Sequence, residues 1–110
     1  MSVSNNDKLD KKFVEYVVGQ MQDTGDISYK YMFGGCAIYI GNKVVALVCN
    51  NKLYVKPTES GRKFIKNVYE EPPYEKAKPY FLIDDKIEDK EWLCQLIRIT
   101  ADELLLTQKN

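Results

Sequence analysis

The chain has no histidine, which excludes the common zinc ligand sets and any serine or cysteine nucleophile activated by an imidazole. Cysteine is scarce. Cys36, Cys49 and Cys94 are odd in number, lack C-x-x-C spacing and have no secretory context, so reduced structural thiols are expected. Net charge is missing too: 16 Lys/Arg balance 16 Asp/Glu, and bulk electrostatics give no reason to expect nucleic-acid or membrane binding. No apolar run approaches the ~18 residues of a membrane span. The opening Met-Ser-Val-Ser-Asn-Asn-Asp-Lys lacks the apolar centre of a signal peptide. The sequence therefore predicts a cytoplasmic protein with no membrane association.

What is present suits one domain over residues 1–110, with 45% hydrophobic residues for a core and 29% charged residues for a solvated exterior. Charge is unevenly spread. Residues 1–42 hold four basic and five acidic groups, residues 43–78 eight and four, and residues 79–110 four and seven, giving −1, +4 and −3. No internal repeat or low-complexity tract interrupts the chain.

Leu9, Phe13, Val17 and Met21, widened by Val14 and Val18, recur at helical spacing, which predicts a first helix capped by Ser4 or Asn6 and running to about Gln22. Residues 28–56 read as strands: Ser28–Phe33, Cys36–Ile40, Lys43–Cys49 and Lys52–Lys56. Gly34-Gly35 reads as a bulge or bend within one long strand, and Gly41-Asn42 and Asn50-Asn51 as hairpin turns, giving a three-stranded meander. A phosphate-cradling role for Gly34-Gly35 is disfavoured, because strand-like residues follow rather than a helix. Thr58 or Ser60 caps a second helix, Glu59–Tyr69, with Phe64, Ile65 and Val68 inward. Tyr80–Asp84 is a further strand, and Tyr74–Ala77 is either an edge segment or loop. Asp89 caps a last helix to Gln108, with Trp92, Leu93, Leu96, Ile97, Thr100, Leu104 and Leu105 inward. The fold class is α+β: a two-layer, antiparallel sheet with helices packed on it, in the order α-β-β-β-α-β-(β)-α.

If Gly41-Asn42 is a two-residue turn, Cys36 pairs with Leu47. In that register Ala37, Tyr39, Val44, Ala46, Val48, Leu53 and Val55 share the face that receives the helices. Ile38, Ile40, Val45, Leu47 and Tyr54 lie on the other face with Cys36 and Cys49, bordered by Lys43, Lys52 and Lys56. An apolar centre with a charged border is the layout of an interface, so these five are the candidate contact residues for a protein partner or a second copy. A cover of helix, or a bulge that swaps the faces, is the competing reading.

Lys56, Arg62, Tyr74 and Lys78 form a candidate ligand or partner site, provided that the loop at 72–79 folds over the start of the second helix. The acidic run Asp84-Asp85 with Glu88-Asp89 does not match a calcium loop and suits helix capping. Eight tyrosines among basic residues raise single-stranded nucleic acid as a ligand. Their alternation within strands points instead to packing, and tight duplex binding is not expected. No catalytic residue, metal site or cofactor is read from the sequence.

Met32-Phe33-Gly34-Gly35-Cys36-Ala37-Ile38-Tyr39 resembles the MFGG signature of the TfoX/Sxy N-terminal domain family. Ala46-Leu47-Val48 and Leu53-Tyr54-Val55-Lys56-Pro57 are similar to its next two strands. Gly61-Arg62 with Phe64-Ile65, Pro72-Pro73-Tyr74, Ala77-Lys78-Pro79-Tyr80-Phe81 and Thr100-Ala101-Asp102-Glu103-Leu104 look like its stand-alone, single-domain members. The resemblance covers most of residues 9–105 in order. It implies helix, three strands, helix, two strands, helix. It also implies a non-enzymatic role in transcription regulation, since full-length members regulate natural competence together with a cyclic-AMP-responsive transcription factor. Those members carry a second, helical domain that is not expected here. A protein-interaction domain is the leading expectation, and a small-molecule or anion-binding domain using the Lys56, Arg62 and Lys78 region is the alternative.

Overall fold

The computed structural model describes residues 9–32 and 34–108. Helix α1 (Lys11–Gln20) begins where the Asp10 carboxylate accepts a hydrogen bond from the Lys12 backbone N–H at 3.0 Å, satisfying a donor that the first turn leaves unpaired. The cap is therefore Asp10 and not Ser4 or Asn6, which with Asp7 and Phe33 lie outside the described residues. Val14, Val17, Val18 and Met21 are buried, with Leu9 and Phe13 packed at the edge of the core. Each fully buried aliphatic side chain contributes about 1.5–3 kcal/mol.

Among the described residues, six strands form one antiparallel sheet: β1 (Ile27–Met32), β2 (Gly35–Ile40), β3 (Lys43–Cys49), β4 (Lys52–Val55), β5 (Glu70–Glu71) and β6 (Tyr80–Ile83), in the order β1-β2-β3-β4-β6-β5. With α2 (Glu59–Ile65) and α3 (Lys90–Gln108) the architecture is the expected two-layer α+β.

Gly34-Gly35 is a hairpin turn, not a bend in one strand. Met32 pairs with Gly35, and β1 runs back along β2 from Met32 to Ile27. Gly34 takes φ 68°, a conformation open to glycine. A Cβ on Gly35 would lie 2.7 Å from the Val48 carbonyl oxygen and 3.1 Å from Cys49 Sγ, so β2 and β3 approach this closely only with glycine there. The meander thus has four strands. Asn50 and Asn51, at φ 54° and 57°, make the β3–β4 turn as expected.

The second correction concerns register. Cys36 pairs with Val48, and Ala37 with Leu47, up to Ile38 with Ala46. The register then shifts, and Tyr39 pairs with Val44. Val45 is the extra residue of a β-bulge. The shift turns Cys36, Ile38 and Val45 to the helix side, each with no exposure, and turns Ala37, Tyr39 and Val44 away from it. Cys36 and Cys49 therefore point to opposite faces, a geometry that no disulfide spans.

Helix α2 stops at Ile65, with Lys66 at φ 74°. It falls short of the expected Tyr69 because the chain must be extended at β5 to pair with β6: Leu82 N–H donates to the Tyr69 carbonyl at 2.8 Å, and Glu71 pairs with Tyr80. The start of α2 is doubly capped. Thr58 Oγ1 accepts from Gly61 N–H at 2.9 Å. The Glu103 carboxylate of α3 accepts from the backbone N–H groups of Glu59 and Ser60 and from the Ser60 hydroxyl, at 3.0, 2.9 and 2.6 Å. Gly61 lets α2 sit this close, since a Cβ would lie 2.6 Å from Thr58 Oγ1 and 3.2 Å from the Phe81 ring. On α3, Leu93, Leu96, Ile97 and Thr100 are buried, Trp92 and Leu104 are half-buried, and Leu105 is exposed because it lies near the end of the helix.

Candidate functional site

The helices cover one face of the sheet. On the other, Ala37, Leu47 and Tyr54 form a second apolar cluster, with Tyr39, Val44, Cys49, Tyr80 and Leu82 around it. The pairings place these side chains in register: Ala37 opposite Leu47, Leu47 opposite Tyr54, Tyr54 opposite Leu82. Ala37, Leu47 and Tyr54 are only 1, 8 and 2% exposed although no helix among the described residues packs against them. The surrounding side chains and the loop at 72–79 shield them.

That loop turns at Tyr74–Ala77, where Ala77 N–H donates to the Tyr74 carbonyl at 3.1 Å and Lys76 takes φ 71°. Tyr74–Ala77 is thus loop rather than an edge strand. The loop brings Tyr74 to a concavity of about 570 Å³ that Gly35, Ala37, Tyr39, Leu47, Lys56 and Tyr80 also line. The size lies within the roughly 300–1,000 Å³ of small-molecule sites.

The polar groups of this face are few. Tyr54 donates its hydroxyl hydrogen to Glu71 Oε2 at 2.6 Å, and Lys52 Nζ lies 3.6 Å from the same oxygen. Burial, and after it the bond to the Glu71 carboxylate, push the Tyr54 phenol far up, so it stays a neutral donor. Burial also pushes up Tyr80, with a smaller effect from Tyr74, and raises the Cys49 thiol. A thiol raised in this way is a poor nucleophile at neutral pH. Among the described residues, Lys56 is the one charged residue of the concavity lining and has no ion-pair partner, whereas the neighbouring Lys52 is matched to Glu71.

Of the four residues expected to converge, the structure brings two together: Lys56 and Tyr74 line the concavity. Arg62 lies in the other layer, where it is paired with Glu70 and its guanidinium sits 5.3 Å from the centre of the Phe81 ring. Lys78 is exposed on the loop, outside the lining. Of the five expected contact residues, Leu47 and Tyr54 are on the uncovered face, while Ile38, Ile40 and Val45 belong to the helix-side core because of the bulge. Tyr39 and Val44 take their place. A sequence signal for this exchange is faint: Val44-Val45-Ala46 is apolar at every position, so either face accepts each of them. Asp84 through Asp89 form a short 3-10 turn and the α3 cap, with the Asp89 carboxylate accepting from Trp92 N–H at 3.1 Å.

A family model for the TfoX N-terminal domain matches residues 19–104. The chain belongs to this family. It is also 36% identical over 95 residues to an uncharacterized 12.7 kDa protein in the trpE 5′ region of Spirochaeta aurantia, covering 86% of this chain and 83% of that one. Segments that carry the resemblance to the TfoX N-terminal domain have structural tasks here. Gly34 and Gly35 close the first hairpin, Gly61 admits α2 to the sheet, and Glu103 caps that helix. Gly35 also lines the concavity, as does Tyr74 of the Pro72-Pro73-Tyr74 segment.

Proposed function

We propose that this TfoX N-terminal domain is a non-catalytic, cytoplasmic protein-interaction module serving transcription regulation, and that its working surface is the uncovered face of the sheet. The observation that carries the reading is the cluster of Ala37, Leu47 and Tyr54 on a face that bears no helix among the described residues. A sheet face left to water alternates toward polar residues; this one is apolar in its middle with Lys52, Lys56 and Glu71 around it, as in interfaces with an apolar core and a polar rim. Family membership supports the regulatory setting. Among the described residues, no helix is long and apolar enough to cross a membrane.

The test is comparative capture. The immobilised domain should retain a specific protein from lysate of its source organism, and Tyr39→Glu should abolish retention. Gln95→Lys, an exposed change on α3, should leave it intact. A partner retained equally by all three would move the contact surface elsewhere, and a dilution series in light scattering identifies the case in which that partner is a second copy.

A further inference from the structure

We propose that the concavity on the uncovered sheet face is a binding pocket for a small organic anion, with a flat aromatic body and one carboxylate or phosphate group. The inference rests on that face being a working surface and adds the chemistry of what enters it. Gly35 and Ala37, two residues apart on the same side of β2, contribute little side-chain bulk to the pocket lining. Gly35 cannot be larger, because a Cβ there would lie 2.7 Å from the Val48 carbonyl oxygen. Tyr74 and Tyr80 line the pocket as well, and Tyr74 is still 60% exposed, so it has area to bury against a flat ligand. A volume of about 570 Å³ is large enough for a bicyclic aromatic.

Charge supplies the polarity of the ligand. Among the described residues the lining holds no carboxylate, and its one charged group is the Lys56 ammonium, which has no ion-pair partner among them. Lys52, the next lysine on the same face, is matched by Glu71, and Glu71 is occupied by Tyr54 as well. An apolar cavity with a single unmatched cation in its lining is complementary to a single anion on an apolar body. Tyr80, its phenol pushed up by burial, also lines the pocket. A neutral or cationic ring would leave Lys56 without a counter-charge.

The experiment is a titration of the whole chain with 2-naphthoate and with its neutral counterpart 2-naphthamide, followed by calorimetry and by amide shifts in NMR. Saturable 1:1 binding of 2-naphthoate is expected, with shifts centred on Ala37, Leu47 and Tyr80, and with the carboxylate favoured over the amide by roughly tenfold or more. In Lys56→Met that preference should vanish while amide binding persists. Tyr74→Ala should weaken both ligands alike, which checks the site by a change in an exposed loop that leaves the core intact. Absence of saturable binding by the wild type, or a carboxylate preference unchanged in Lys56→Met, overturns the pocket. Should the pocket fail while Tyr39→Glu still abolishes partner capture, the interaction surface stands alone. Should naphthoate bind as described and no partner depend on Tyr39, the face is a ligand site and not a protein contact.

Discussion

The two faces of the sheet are made from the same kinds of residue and do different work. On the helix side, Ile38, Val45, Val48, Leu53 and Val55 have no exposure because α1 and α3 lie on them. On the other side, Ala37, Leu47 and Tyr54 are nearly as buried, but under tyrosines, a thiol and a loop. Low exposure under a helix records a filled core, whereas low exposure under a ring of half-buried side chains records a hollow. One bulged residue, Val45, decides which side chains of β2 and β3 belong to which.

Removing side chains should separate the faces most clearly. Ile38→Ala empties a filled site and should cost about 2–5 kcal/mol. Leu47→Ala widens a hollow that already exists, and should cost about 1–2 kcal/mol. Urea unfolding checks both. Equal losses would mean that the uncovered cluster is packed as tightly as the core.

Adding a methyl is the smaller perturbation. Gly35→Ala and Gly61→Ala should each destabilise by about 1–3 kcal/mol. Gly35→Ala should be the worse, since its Cβ meets a backbone oxygen whereas that of Gly61 meets side chains. Thermal melts rank them.

Ionisation distinguishes the faces without changing packing. Tyr54 should be among the last tyrosines to ionise in a spectrophotometric titration, and Glu71→Gln should bring it part of the way down, with burial keeping the remainder. Its folded value lies above the unfolded one, so its contribution to stability is intact below about pH 10 and is lost as pH rises through the folded value. On the helix side the sign reverses. Hydrogen bonds from the Ser60 hydroxyl, then from the backbone of Ser60 and Glu59, hold Glu103 below the ordinary glutamate value. Its contribution is intact above about pH 4.3 and is lost as pH falls through the depressed value. Between about pH 6 and about pH 3, Glu103→Gln should therefore lose less melting temperature than the wild type.

Much of the fold is legible in the sequence because it rests on local rules. The α1 stripe, the Asn50-Asn51 turn, the Asp89 cap and the inward face of α3 follow from periodicity and capping chemistry. What the sequence hides depends on partners distant in the chain. A glycine pair serves a bulge or a turn equally well, and only the pairing of β1 back along β2, with Met32 opposite Gly35, decides between them. The apolar run Val44-Val45-Ala46 carries no alternation to mark its extra residue. Helix α2 yields its last turn to β5, a pairing made with residues beyond the 72–79 loop. The candidate site was half legible: Lys56 and Tyr74 do meet, but Arg62 is taken by Glu70 and Phe81, contacts that spacing does not reveal.

Adjacent substitutions at the bulge test the central claim most directly. Val45→Glu buries a carboxylate beneath the helices, while Val44→Glu, one residue away, places it on the uncovered face. Melting and partner capture are then measured on both. The account predicts that Val45→Glu unfolds the domain, and that Val44→Glu leaves it folded with a melting temperature close to that of the wild type but unable to bind. A Val44→Glu domain that unfolds as Val45→Glu does, or that stays folded and binds as before, would contradict the assignment of one face to the fold and the other to recognition.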